Sequence, residues 1–161
     1  MKWMVANVVG KKYSEVDRAY LAGFVDADGA VMAHIEPHQE KKFKFRIRLE
    51  LKITQKNNKV LLYFCQKYNC GSVIKNRSVY DWRIRDQKDV AWLLHFLKPY
   101  SRSKQKQIEK ALIIVESEIK SKADLLRMAR LADALSRFNV RSTNRRKNYT
   151  AKIQEYFSRN D

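Results

Sequence analysis

The sequence predicts an α+β fold, with helices and strands in the order αββαββα and further helices after this core. Three observations lead to this prediction. Apolar and charged residues alternate with a period of two over residues 43–54, as in a strand with one buried face. Segments with helical apolar periodicity precede and follow this strand. Because strands alternate with helices and no linker rich in Pro, Gly or Ser divides them, we expect one domain over residues 1–161.

The first helix is predicted over residues 15–26. Ser14 is a favourable N-cap residue, and Asp17, three residues later, completes a pattern typical of a capping box. Gly29 follows the helix, and we expect it to adopt the left-handed conformation that commonly ends helices. Gly23 lies inside the helix, where glycine costs about 1 kcal/mol relative to alanine, so its presence calls for a separate reason.

Two strands should follow this helix. The first is predicted over residues 30–36, because Pro37 has no N–H to donate, and a polar turn at residues 38–42 leads to the second. The second strand, over residues 43–54, has one apolar face and one face with four positive charges and a single acid. A solvated face of an antiparallel sheet explains this pattern, but the positive excess favours contact with nucleic acid.

The second half of the chain repeats the alternation of helices and a hairpin. Asn58 is the expected cap of a helix that ends before Gly71, and the hairpin that follows should turn near Ser78. Pro99 ends the next helix. The predicted elements of this half are a helix over residues 59–68, strands over 72–77 and 79–85, and helices over 87–97, 103–119, 123–138 and 151–157.

The net charge is the clearest functional signal in the composition. The chain has 34 Lys and Arg residues against 17 Asp and Glu residues, a formal charge of +17. Because these charges are spread through periodic segments, we expect a folded domain with a basic face and a polyanion as its partner. No segment approaches the roughly 20 apolar residues of a membrane-spanning helix, so no membrane association is expected. The two cysteines, Cys65 and Cys70, do not form a disulfide framework.

Residues 20–29 place two carboxylates at the end of the first helix. Asp26 and Asp28 lie where the helix dipole is already negative, so a bound divalent cation would relieve an unfavourable arrangement. A plain Asp-Gly turn is the alternative. Ala19 and Gly23, four residues apart, form a small-residue face that would let the backbone of another helix approach closely.

The string LAGFVDADG at residues 21–29 resembles the signature of the LAGLIDADG homing endonucleases and departs from it at Phe24 and Val25, both apolar for apolar. The length, the single copy of the string and the downstream pattern resemble the single-motif homodimeric subclass known from introns of green-algal chloroplasts. The resemblance implies a homodimer whose antiparallel sheets form a saddle on double-stranded DNA. It implies a site-specific endonuclease that hydrolyses both strands of a long pseudo-palindromic target and has no small-molecule substrate. It also suggests an organelle, the chloroplast, as the location.

The resemblance also assigns catalytic residues. Asp28 would bind Mg²⁺ together with the backbone carbonyl of Ala27, and Asp26 would be structural. Mn²⁺ would also support activity, whereas Ca²⁺ would bind without cleavage. The supporting catalytic residues would be Gln55, Lys59 and Lys104. The alternative is that these three are ordinary residues at the starts of helices and on the surface.

DNA contact is expected from residues that align with the DNA-reading strands of the relatives, and from the basic segment near the C-terminal end. These residues are His34, Glu36, His38, Glu40, Lys41, Arg46, Arg48, Lys52, Ser72, Ile74, Asn76, Asp81, Arg83 and Arg141. Arginine and lysine can donate to guanine, and aspartate can accept from cytosine. The expected dimer interface is formed by Ala19, Leu21 and Gly23.

Two other functions stay open. A catalytically inactive DNA-binding regulator or an intron RNA maturase would use the same scaffold, although the presence of Asp28, Gln55 and Lys104 argues against lost catalysis. A basic RNA-packaging protein would bind mainly through charge and without sequence preference.

Overall fold

The computed structural model describes residues 13–139 and 142–160, so Arg141 lies outside the described residues. The predicted α+β class and the αββαββα order with further helices are confirmed. The elements are helix α1 (Glu15–Asp28), strands β1 (Gly29–Pro37) and β2 (Phe45–Gln55), helix α2 (Lys59–Tyr68), strands β3 (Ser72–Asn76) and β4 (Val79–Ile84), helices α3 (Gln87–Leu97), α4 (Gln105–Glu116) and α5 (Lys122–Asn139), a 3₁₀ turn (Thr143–Arg145) and helix α6 (Tyr149–Asn160). Within these described ranges, no helix combines the length and the apolar character needed to cross a bilayer.

The four strands form one antiparallel sheet in the order β1-β2-β4-β3. Strand β1 pairs with β2 along its whole length, from Gly29 opposite Ile53 to Pro37 opposite Phe45. Strand β4 pairs with the other edge of β2 and with β3 beyond it. Because residues in register point to the same side of a sheet, this pairing separates an apolar face from a polar face.

The apolar face of the sheet forms the core with the helices. Val31, Leu51 and Trp82, from three neighbouring strands, are fully buried. The indole N–H of Trp82 donates to the carbonyl oxygen of Cys70 at 2.9 Å, so its polar group has a partner inside the core. Helices α1 to α5 pack against the strands, which leaves the polar face of the sheet toward solvent.

Helix α1 begins as predicted and ends slightly later. The Ser14 hydroxyl accepts from the Asp17 N–H at 3.1 Å, and the Ser14 N–H donates to the Asp17 carboxylate at 3.2 Å, which completes the capping box. The expectation of a left-handed Gly29 is wrong, because strand β1 starts there and its φ of −82° and ψ of 154° are extended. The position still requires glycine, since a Cβ atom would lie 2.5 Å from the carbonyl oxygen of Val25.

The two ends of helix α2 differ in how well the sequence predicted them. Its bounds match the prediction, but Asn58 makes no side-chain cap, and Oδ1 of Asn57 instead accepts from the Lys59 N–H at 2.8 Å. Asn69, with a φ of 49°, and Gly71, with a φ of 69°, end the helix as expected. The bounds of α3 also match the prediction. The boundaries of the remaining elements differ from the predicted ones by a few residues at most.

A buried acid positions the C-terminal helix. Asp133 of α5 accepts hydrogen bonds from the N–H groups of Tyr149 at 2.6 Å and Thr150 at 3.0 Å. These are N–H groups of the first turn of α6 that have no intrahelical partner, so α5 caps α6 from outside. Helix α6 is therefore attached to the domain by a specific interaction.

We expect Gly29→Ala to lower the free energy of unfolding by about 1–3 kcal/mol, because the added methyl group meets the backbone of the preceding helical turn. Gly23→Ala is the matched control: a Cβ atom there meets no atom within 4 Å among the described residues, so this change should not lower the free energy of unfolding of the monomer. Urea unfolding at low protein concentration, followed by circular dichroism, compares the two. Equal stability of Gly29→Ala and wild type would contradict the close approach at the junction of α1 and β1.

Candidate active site and nucleic-acid surface

Asp28 and Gln55 meet at one end of the sheet. Asp28 is the last residue of α1 and β1 follows it directly, so the pairing of Gly29 with Ile53 brings Asp28 beside the end of β2. Nε2 of Gln55 donates to Oδ2 of Asp28 at 2.7 Å, and Asp28 is exposed. Two residues that the sequence predicts for catalysis are therefore in contact.

Asp26 attaches a second segment to the end of α1. Its carboxylate accepts from the Ser101 hydroxyl at 2.5 Å and from the N–H groups of Arg102 and Ser103 at 2.6 and 3.3 Å. Burial would raise the pKa of Asp26, but these hydrogen bonds outweigh burial and hold the pKa below its ordinary value. Asp26 is therefore structural, as predicted, and Lys104 follows directly after the segment that it anchors.

The two predicted catalytic lysines lie at the starts of helices. Lys59 is exposed as the first residue of α2, and Lys104 is half-buried just before α4. Within the part of the chain that the structure describes, Gln55 is the side chain that donates to Asp28, and neither lysine does so. Of the three predicted supporting residues, Gln55 is thus in contact with the Asp28 carboxylate, and the two lysines are not hydrogen-bonded to it.

The donors at this site suit a magnesium-type ion. Asp28 contributes an exposed carboxylate, and Ala27 has one of the backbone carbonyls at a helix end that lack an intrahelical partner. Across residues 13–139 and 142–160, no group of three or more His, Cys, Asp or Glu side chains is gathered for a metal. Mg²⁺ is commonly held by one or two carboxylates together with water and phosphate oxygens, so this donor set fits it.

The polar face of the sheet gathers the predicted DNA-binding residues of the strands. His34 stands opposite Arg48, while Lys52 stands opposite Arg83. Partners in register share a face, so these side chains lie on one side of the sheet. The predicted residues on this face are His34, Glu36, Arg46, Arg48, Lys52, Ser72, Ile74, Asn76, Asp81 and Arg83. The turn between β1 and β2 holds the other three described ones, His38, Glu40 and Lys41.

Asp81 does not suit the role predicted for it. It is only 1% exposed, and it accepts from the Thr54 hydroxyl at 2.5 Å and from Nδ2 of Asn76 at 3.0 Å. Burial would raise the pKa of Asp81, but these hydrogen bonds keep the pKa below its ordinary value. Its oxygens are therefore engaged within the protein, and the expectation that it accepts directly from a base is wrong. It orients Thr54 and Asn76 instead.

Glu50 is a candidate that the sequence alone did not single out. It lies in the middle of the polar face but is 3% exposed. Nε of Arg83 and Nε of Arg85 donate to its carboxylate oxygens at 2.5 and 3.0 Å, and Nε2 of His34 lies 3.6 Å away. Burial would raise the pKa of Glu50, but the three basic groups outweigh burial and lower the pKa to about 2. In the sequence, the feature that marks Glu50 is that it is the single acid among the basic residues on this face of β2.

Helix α1 presents an uncovered face. Val16 is 77% exposed and Tyr20 is 48% exposed, and Ala19 and Gly23 share this side of the helix. Leu21 does not belong to this face: it is fully buried in the core of the protomer, so its assignment to a dimer interface is wrong. The exposed residues form an apolar strip with two small residues at its centre.

Comparison with known proteins identifies similar chains. The family model for LAGLIDADG endonuclease matches residues 21–115. DNA endonuclease I-CreI of Chlamydomonas reinhardtii is 36% identical over 107 residues, which cover 65% of this chain and 66% of that protein. DNA endonuclease I-CvuI of Chlorella vulgaris is 29% identical over 126 residues, covering 75% and 78%. Two crystal structures of I-CvuI on DNA, one with 2 mM Mg and uncleaved DNA and one with 2 mM Ca, match with a TM-score of 0.77 and 26% identity over 89% of this chain and 94% of theirs.

The ion pairs of Glu50 should make stability sensitive to acid. Because the pKa of Glu50 falls from 4.5 to about 2 on folding, its contribution is complete above pH 4.5 and is lost as the pH falls toward 2. The lost free energy of unfolding should be about 3 kcal/mol. Urea unfolding across this pH range should show this dependence in wild type and a shallower one in Glu50→Gln. Identical pH profiles would contradict the role of Glu50.

Proposed function

Because the chain belongs to the LAGLIDADG endonuclease family, we propose that it is a site-specific endonuclease that cuts both strands of a long pseudo-palindromic DNA target as a homodimer. The observation that carries this proposal is the contact between Asp28 and Gln55 at the end of the motif helix. Hydrolysis of a DNA strand requires a site that neutralises negative charge and activates a water molecule, next to a surface that binds the duplex. Strand β2 links the two, since it ends in Gln55 and carries arginines and Lys52 along the polar face.

The polar face of the sheet suits double-stranded DNA. The chain has a formal charge of +17, and a two-stranded ribbon can enter the major groove, where all four base pairs differ in their donors and acceptors. Strand β2 has 11 residues. At about 3.3 Å per residue it spans about one helical turn of B-DNA, which is roughly 34 Å. One protomer would therefore read one half-site. The crystal structures of I-CvuI in complex with target DNA support DNA as the partner.

We assign the divalent cation to Asp28 and the backbone carbonyl of Ala27. Mg²⁺ is the proposed cation, with Mn²⁺ as a substitute and Ca²⁺ as an ion that binds without supporting cleavage. A bound cation would supply charge neutralisation and a more acidic water. Gln55 would orient the attacking water, and Lys59 and Lys104 would stabilise negative charge that develops on the phosphate.

The exposed face of α1 supports a homodimer. Glycine in a helix is unfavourable, and Gly23 has no neighbour within 4 Å among the described residues that would require it. A second α1 helix packed across Ala19 and Gly23 would explain the glycine and would cover Val16 and Tyr20. The two-fold symmetry of such a dimer would match a pseudo-palindromic target, with one cleavage site per protomer.

An organelle is the proposed location. Two of the similar curated proteins come from the green algae Chlamydomonas reinhardtii and Chlorella vulgaris. With the single-motif resemblance, this favours the chloroplast as the compartment. This location can be tested by measuring whether the protein is imported into, or synthesised in, isolated chloroplasts, with an antibody used to detect it.

We expect Asp28→Asn to retain DNA binding and to lose cleavage by at least about 100-fold, because the cation would lose its carboxylate. A random library of double-stranded sites, incubated with wild type and Mg²⁺ and sequenced at the cut ends, supplies the target. Cleavage and gel-shift assays on that target then compare the variant with wild type.

Glu155→Gln, at an exposed glutamate of α6, removes the same charge away from the site and should cleave like wild type. EDTA should abolish wild-type cleavage. Cleavage by Asp28→Asn would remove Asp28 from the metal site. A wild type that binds a defined site in a selection with Ca²⁺ but yields no cut ends with Mg²⁺ would instead favour an inactive DNA-binding regulator.

We expect Gly23→Leu to fold but to remain a monomer, because its side chain has free space within the protomer and would separate two packed α1 helices. Sedimentation equilibrium measures the oligomeric state, and circular dichroism checks the fold. Ala123→Leu, at an exposed small residue of α5, should leave the dimer intact. A wild type that is monomeric both free and on DNA would refute the dimer.

A further inference from the structure

A buried acid lies at the centre of the basic face. Glu50 is 3% exposed, receives hydrogen bonds from Arg83 and Arg85, and has His34 at 3.6 Å. With Arg48, these side chains line a cavity of about 230 Å³ on the polar face of the sheet. Basic groups from β1, from β4 and from the residue after β4 thus converge on a single carboxylate of β2.

The hydrogen bonds leave the outer end of each arginine available. Arg83 and Arg85 both use Nε to donate to Glu50, and within the described ranges their terminal Nη groups make no hydrogen bond. The Arg85 side chain is 59% exposed and that of Arg83 is 28% exposed. Arginine recognises guanine through two parallel N–H donors, and the two Nη groups of one guanidinium provide such a pair.

The acid-dependent contribution of Glu50 compares its charged form with its neutral form, and it does not make an acid at this position a net gain in stability over an uncharged residue. General attraction to DNA does not explain Glu50 either. A buried ion pair is weak evidence for stability, because removing charged groups from water has a large desolvation cost. An acid on this face also cancels positive charge that would otherwise attract phosphates. What the carboxylate does provide is a defined orientation for two long side chains, which would otherwise have to be ordered when DNA binds.

We propose that Glu50 is a positioning residue for sequence recognition, which orients Arg83 and Arg85 toward a short run of base pairs in each half-site without contacting DNA itself. This inference rests on the proposed recognition of DNA but does not depend on cleavage. This role requires that the carboxylate of Glu50 holds both arginines in a defined orientation, which a negative charge alone would not achieve. An aspartate at position 50 keeps the charge but is one methylene shorter, so it should not hold both arginines.

Glu36 offers a matched control on the same face. It accepts a hydrogen bond from Nε of Arg46 at 3.0 Å and lies 3.2 Å from Arg48, so it is paired with a different set of arginines. Glu36→Gln changes the net charge as Glu50→Gln does. Glu155, exposed on α6, allows the same charge change away from the sheet through Glu155→Gln.

The test is selection of bound sites from a random double-stranded DNA library with Ca²⁺, using the full chain, and it reads binding without cleavage. Glu50→Gln and Glu50→Asp should each reduce base preference roughly tenfold at the same few adjacent positions of each half-site, within the range expected for losing one arginine–guanine contact. Glu36→Gln should change other positions, and Glu155→Gln none. Thermal unfolding of each variant confirms that it is folded.

Each outcome decides the inference. A Glu50→Asp variant with wild-type preference would show that charge suffices and would overturn the positioning role. An even loss of preference at all positions, equal to that of Glu36→Gln, would also overturn it. If wild type binds a preferred site without cutting it, the nuclease proposal fails while the role of Glu50 is still tested. A wild type with no preferred site would overturn both.

Discussion

Helix α1 passes into strand β1 without a connecting loop, and the geometry of the candidate site depends on this junction. The chain turns so closely against the carbonyl oxygen of Val25 that only glycine fits at position 29. The strand register that starts with Gly29 opposite Ile53 then sets Asp28 beside Gln55. Since the same register aligns the polar face of β1 and β2, the carboxylate and the basic surface are held in a constant relation to each other.

Two carboxylates of the same helix end differ in their hydrogen bonding because their neighbours differ. Asp26 receives hydrogen bonds from Ser101 and from two backbone N–H groups, so its oxygens are engaged and it anchors the segment before α4. Asp28 is exposed and, from the residues that the structure describes, receives one hydrogen bond, donated by the side-chain amide of Gln55. A carboxylate with free lone pairs can coordinate a cation, whereas one that is saturated by N–H and O–H donors is a structural element. The motif therefore combines, within three residues, an anchoring carboxylate and a carboxylate that is free to accept a cation.

Features encoded by neighbouring residues were predictable from the sequence, and features created by distant contacts were not. The capping box at Ser14 and the alternation in β2 depend on local spacing, and both predictions are confirmed. The extended conformation of Gly29 depends on the strand that it starts, which residue type alone does not reveal. The burial of Asp81 and Glu50 depends on partners from neighbouring strands, so the alternation predicts their face but not their exposure. The resemblance, rather than this alternation, supplied the ten predicted DNA-binding residues that the strand register places on one face of the sheet.

The three acids on the basic face follow one physical rule. Glu36 is bound by arginines of β2, Glu50 by arginines at the end of β4, and Asp81 by polar side chains of β2 and β3. A surface of unpaired lysines and arginines would attract any duplex, because the phosphate charge carries no sequence information. Acids that are paired within the protein lower this general attraction and restrict the directions of the remaining donors. A face with a positive excess and internally paired acids is thus better suited to a defined target than to DNA in general.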